Sequence, residues 1–294
     1  MTNDSQQKAR RSANSDGPML RAITSIPALG YLLVFMAIPL LLIISYAFLT
    51  AGRFGGVKPP VTLENITRLI EPIYRDVLVT SVMTAGAATL LSFAIGFPAA
   101  LVISRLTPRW QTIALIAVVL PFWTNFLIRT YAWIVLLNSE GLLNHGLALI
   151  GLGPVQVLYT RSAVVLGLFY AYLPLMVLPI YASLQRLDPS LLEAARNLGA
   201  GGWRRFRTVL LPLTMPGILA GALFVFIPSL GNFVIPELLG GGKSQMIGNL
   251  IRDQFLKSRD WPFGSALSLM VLALLMVILW AQARAARRTR EWAG

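Results

Sequence analysis

The chain has 294 residues, of which 56% are hydrophobic and only 13% charged, with a mean hydropathy of +0.68. A soluble domain carries about 25% charged residues, so an ordinary soluble enzyme is excluded, and the lack of cysteine excludes disulfides, thiol catalysis and Cys-based metal sites. The net charge of +13 is the topogenic excess of a membrane protein, and with no aromatic-interleaved basic patch there is no case for nucleic acid as a partner.

Residues 1–26 form a polar tail, expected to be disordered and cytoplasmic. Lys8, Arg10, Arg11 and Arg21 precede an apolar run at 27–49 that is too long for a signal-peptide core, so it reads as an uncleaved first span. Five more runs follow at 77–103, 111–137, 162–183, 213–235 and 265–283. Each reaches the roughly 20 helical residues that a bilayer core of about 30 Å requires. The runs are continuous rather than alternating, which points to helices and not to a barrel. The fold class expected is an all-α membrane protein of about six transmembrane helices. A transmembrane domain is expected over 27–283, followed by a basic cytoplasmic tail at 284–294. Pro174 and Pro179 interrupt the fourth run, Pro216 and Pro228 the fifth.

An even number of spans puts both termini on one side. With the termini inside, the cytoplasmic segments hold four Lys/Arg in the N-terminal tail, Arg105 and Arg109, five from Arg186 to Arg207, and four at the C-terminus. The outer loops hold nine, and Arg129 lies near the outer half of the third run. This bias predicts cytoplasmic termini.

The segment 184–212 is then a long, basic cytoplasmic loop. Leu191, Ala194, Ala195 and Leu198 are spaced as one helical face. Asp188 is placed to cap that helix, Pro189 to occupy its first position, and Gly199, Gly201 and Gly202 to end it. Two uses fit such a helix equally: docking into a partner's groove, or lying on the membrane interface.

The same loop reads Glu193-Ala194-Ala195, three residues, Gly199, nine residues, then Val209-Leu210-Leu211-Pro212. It resembles the EAA loop of ABC importer permeases, departing only where Val209 replaces the usual Ile. The resemblance implies a coupling helix that seats in a cleft of a separate ATPase subunit, present in two copies. It also implies a second permease subunit, a homologue or a second copy of this chain, and a periplasmic solute-binding protein, all at the bacterial inner membrane. Glu193, Ala194, Ala195, Arg196, Gly199, Leu211 and Pro212 are the coupling residues so implied. Arg196, Arg204 and Arg205 fit either pairing with acidic groups of the ATPase or a plain positive-inside role.

Further segments resemble the spermidine/putrescine group of these permeases. They are Phe169-Tyr170-Ala171-Tyr172-Leu173-Pro174, Leu238-Leu239-Gly240-Gly241, Met246-Ile247-Gly248-Asn249, Gln254-Phe255 and Arg259-Asp260-Trp261-Pro262-Phe263-Gly264. An importer for an opine, an amino-acid derivative or an iron chelate is the alternative within the same class. A secondary transporter would need an internal repeat or a carboxylate in a span, and the sequence offers neither.

No catalytic, cofactor or metal site is expected. Gly240-Gly241-Gly242-Lys243-Ser244 invites a phosphate-loop reading, but Glu237 stands where the motif needs its first glycine, and the context is not strand-to-helix. His145 reads as a solvated loop histidine. Gly217 and Gly221 fit small-residue helix packing. For the solute pathway the candidates are Asn125, Tyr172, Asn232, Phe233 and Glu237, with Trp123, Tyr131, Trp133 and Tyr170 as further aromatic faces. The outer loops 50–76 and 236–264 are expected to receive the binding protein, with Glu64, Glu71, Asp76, Glu237, Asp253 and Asp260 as candidate contacts or cation attractors.

Overall fold

Apolar runs of this length can satisfy their amides in lipid only from within, and the chain forms helices over most of its described length. The computed structural model describes residues 18–291, apart from positions 54 and 243. Helix α1 (Pro18–Ala47) leads into an antiparallel hairpin of β1 (Leu49–Ala51) and β2 (Val57–Val61), then the short α2 (Glu64–Arg68). Asn65 in α2 is buried and donates to the carbonyls of Ala47 (3.1 Å) and Leu49 (2.8 Å), closing the exit of the first span. The long α3 (Pro72–Ser104) follows, then α4 (Pro108–Trp123), α5 (Phe126–Leu137) and α6 (Leu142–Leu149). Helix α7 (Arg161–Gln185) precedes the loop helix α8 (Pro189–Asn197). Helix α9 (Gly202–Arg205) continues through a π-helical turn, Phe206–Leu210, into α10 (Leu211–Gly231). The chain ends with α11 (Val234–Gly240), α12 (Ile247–Leu256) and α13 (Trp261–Glu291).

Five helical segments are long and apolar enough to cross a membrane: Leu29–Ala47, Pro72–Ser104, Arg161–Gln185, Gly202–Gly231 and Trp261–Arg284. The expected third span is not one straight helix. The chain bends by 92° between Pro108–Trp123 and Phe126–Leu149, so it counts as a sixth span only if the bent pair is taken as one. Pro121 supplies no amide to the helix, Thr124 is extended, and the Asn125 side chain caps α5 through the amides of Leu127 and Ile128. The other expected interruptions are absent as breaks: α7 runs through Pro174 and Pro179, and α10 through Pro216 and Pro228. The fifth span ends at Gly231 rather than 235, because Asn232 is extended and turns the chain into α11. Helix α1 begins at Pro18 and α13 reaches Glu291, while the rest of the expected tails 1–26 and 284–294 lies outside the described residues.

The centre is a sheaf of α3, α7 and α10, with α1 packed on α13. Phe97, Ala100, Met176, Val177, Ile180 and Val225 are buried where the three central helices meet. Gly217 and Gly221 make the approach of α7 and α10 possible. A methyl at Gly217 would fall 2.5 Å from the Pro179 carbonyl oxygen, and one at Gly221 would fall 2.9 Å from Met176 Sδ. The small-residue motif therefore packs within the chain.

Candidate functional site: the capped loop helix and a polar cluster at the end of α10

Helix α8 starts and stops where its sequence dictates. The Asp188 carboxylate accepts from the Ser190 amide at 2.9 Å, and Pro189 follows at the first position. Hydrogen bonds from Ser190 hold the Asp188 carboxyl below the usual carboxylate range, so the cap stays charged. At the other end the Gly199 amide donates to the Arg196 carbonyl (2.9 Å) and the Ala200 amide to the Ala195 carbonyl (3.0 Å). This is the Schellman closure, and it places Gly199 at φ +76°, a conformation that costs glycine little. Gly201 and Gly202 do not end this helix; they begin α9.

The loop turns its apolar face outward from the chain. Leu191, Ala194 and Leu198 are exposed, Leu198 to 87%, beside the exposed carboxylate of Glu193 and the exposed Arg196. Ala195 is half-buried. Leu211 and Pro212 lie apart in role: Leu211 packs against the central core and Pro212 starts α10. Trp203 joins the surface at 73% exposure and stacks on Phe206 (5.3 Å), which meets the buried Phe97 edge-on (5.5 Å). Trp203 was not singled out from sequence, although an aromatic between glycines and arginines in a basic loop is itself a signal of contact.

Four of the five pathway candidates gather where α10 breaks. Asn232 donates to the Tyr172 hydroxyl oxygen (2.9 Å), and its carbonyl oxygen accepts from the Ile235 amide (2.9 Å). Tyr172, Pro228, Gly231, Asn232, Phe233 and Val234 line a cavity of about 350 Å³. Glu237, one turn into α11, forms an ion pair with Arg252 of α12, whose guanidinium carbon stands 5.2 Å from the Phe233 ring. Arg252 also pairs with Asp253 at 2.7 Å, and Lys257 with Asp253 at 3.1 Å. Burial raises the Asp253 pKa, but hydrogen bonds from Arg252 and Lys257 outweigh it and hold the carboxyl below its ordinary value. Asn249 fastens the arrangement by donating to the Phe233 carbonyl at 2.7 Å. Arg252 has no sequence signal marking it as the partner of Glu237; only the turn between α11 and α12 brings them together.

Asn125 is not among the described residues lining this cavity; its side-chain oxygen caps α5. The glycine run after α11 links two helices, with Gly241 and Gly242 at φ +56° and +74°, and is not the strand-to-helix turn of a phosphate loop; Lys243 lies outside the described residues. His145 sits on α6 with Nδ1 3.1 Å from the Gly141 carbonyl. Asp260 pairs with Arg68 at 2.9 Å and caps α13 through the Phe263 amide, so this loop carboxylate ties α2 to α13.

The family described as "binding-protein-dependent transport system inner membrane component" matches residues 19–291. The spermidine/putrescine transport system permease protein PotB of Haemophilus influenzae is 43% identical over 265 residues, covering 90% of this chain and 93% of that protein. Its namesake in Escherichia coli K12 is 42% identical over 264 residues, covering 88% and 96%. Among solved structures, a bacterial ABC transporter that imports the acidic polysaccharide alginate contains a chain that superposes with a TM-score of 0.72 at 19% identity, covering 96% of this chain and 99% of that one.

Proposed function

The chain belongs to the family of binding-protein-dependent transport system inner membrane components, and from that premise we propose that it is the permease subunit of an ATP-driven importer of spermidine and putrescine. Being a permease, it moves solute and is not itself an enzyme. The observation that carries the coupling half of the reading is helix α8. It is a helix capped at both ends, carrying Glu193 and Gly199 at the family spacing, with Leu191, Ala194 and Leu198 left exposed by the described residues. Such a face suits the groove of an ATPase subunit. Hydrolysis belongs to two copies of that subunit. A second permease, related or identical, completes the pathway, and a periplasmic binding protein delivers the solute to the loops at 50–76 and 236–264. Both termini lie in the cytoplasm in this arrangement.

The identity with two spermidine/putrescine permeases supports the substrate, and the cluster behind α10 supports a mechanism. Tyr172 and Phe233 offer aromatic faces to an ammonium group, and Glu237 offers the charge. Because Glu237 is already paired, a polyamine ammonium must displace Arg252, which keeps the site weak and the solute moving on. Uptake of radiolabelled spermidine and putrescine in a strain lacking only this chain tests the reading. Loss of both, restored by the gene, is the expected result; undiminished uptake with no redundant system present would refute the polyamine assignment.

A further inference from the structure

We propose that the notch left by the broken third span is a binding site for an anionic phospholipid, with Arg129 holding its phosphate. The inference rests on the membrane topology of the proposed function and is independent of which solute is carried. Helix α4 starts at Pro108 and has 16 residues, so at 1.5 Å per residue it rises about 24 Å from the cytoplasmic surface before it breaks. In a hydrocarbon core of about 30 Å this places the break near the outer boundary. The chain then bends by 92°, so with α4 upright in the bilayer α5 lies across the bilayer normal near that boundary.

Arg129 lies one turn into α5. One of its nitrogens donates to the Pro121 carbonyl at 2.6 Å, an acceptor shared with the hydroxyl of Thr124 (2.7 Å). Among the described residues its guanidinium forms no other hydrogen bond and no ion pair. Its remaining N–H groups belong to a half-buried guanidinium whose carbon is 5.7 Å from the Phe126 ring and 5.8 Å from that of Tyr170. Beside it opens a cavity of about 560 Å³ with walls of Ala132, Trp133, Leu136, Leu142 and Tyr170. Trp133 and Tyr170, residue types enriched at the headgroup level, meet edge to face at 5.4 Å.

An apolar groove ending in a cation without a counter-ion matches one molecule already present at that depth: a lipid whose acyl chain fills the groove and whose phosphate meets the guanidinium. A second permease seated there would have to bring a carboxylate into the membrane boundary, at considerable cost. The lipid brings its charge with it.

Native mass spectrometry of the complete transporter, reconstituted in nanodiscs of phosphatidylcholine mixed with phosphatidylglycerol, reads the site directly. The parent should retain phosphatidylglycerol over phosphatidylcholine, and Arg129→Gln should cut that preference about tenfold, the worth of one charge-assisted hydrogen bond. Ala132→Trp leaves the Arg129–Pro121 bond untouched and fills the groove, so it should lower retention of both lipids while the complex stays assembled. Equal retention of phosphatidylglycerol in all three proteins would overturn the proposal. So would loss of the second permease, rather than of lipid, on Ala132→Trp.

Discussion

The side-chain amide of Asn232 and the hydroxyl oxygen of Tyr172 lie 2.9 Å apart, joining the end of α10 to the middle of α7 at the wall of the 350 Å³ cavity. The same Asn232 accepts the Ile235 amide through its side-chain carbonyl oxygen, so one side chain both shapes the cavity wall and sets the turn into α11.

Removing the hydroxyl and removing the amide should therefore differ. Tyr172→Phe costs one partly buried hydrogen bond, about 1 kcal/mol. Asn232→Ala also uncaps the turn, for about 2 kcal/mol in total. Thermal unfolding of the purified complex in detergent should rank the parent above Tyr172→Phe and Tyr172→Phe above Asn232→Ala. Indistinguishable melting of the two variants would mean that the asparagine does not set the turn.

Gly217 should not tolerate a side chain. Its neighbour across the contact is the backbone carbonyl of Pro179, which cannot move aside as a flexible side chain would. Gly217→Ala should destabilise by about 1–3 kcal/mol through overpacking. Gly86, where an added methyl meets nothing within 4 Å, serves as the control and should accept alanine without loss. Equal melting temperatures for the two alanine variants would contradict the close α7–α10 approach.

The Asp253 pair has a defined pH signature. Its carboxyl is held below its ordinary value in the folded chain. The stability it contributes is thus present above the unfolded pKa of about 3.9 and is lost as pH falls through the lower folded value. Asp253→Asn should be less stable than the parent at neutral pH, and the gap should narrow below about pH 4. A gap that widens on acidification would show the opposite sign of shift.

Much of this was legible in the sequence, and the parts that were not share a cause. Asp188, Pro189 and Gly199 carry their roles locally, in residues adjacent to the bonds they make, so the ends of α8 follow from one-dimensional reading. The break after Trp123 left a faint trace, Pro121 four residues before Asn125, within an apolar run whose composition does not change across it. The π-helical turn at Phe206–Leu210 has no residue pattern to announce it. Arg252 stands 15 positions from Glu237 and is joined to it only by the fold. Features that depended on hydrophobicity and capping could be read; those that depended on where two bent segments meet could not.

The central claim is that helix α8 couples this membrane chain to an ATPase driven in step with polyamine delivery. The direct measurement is ATP hydrolysis by the full transporter in proteoliposomes, with and without spermidine-loaded binding protein, for the parent and for a Glu193→Lys, Gly199→Trp double variant. The lysine reverses the charge of an exposed carboxylate, and the tryptophan cannot adopt φ +76° without strain. The account predicts stimulation by the loaded binding protein in the parent, and in the variant its loss together with release of the ATPase subunits. Full stimulation in the double variant, with the ATPase still bound, would contradict it.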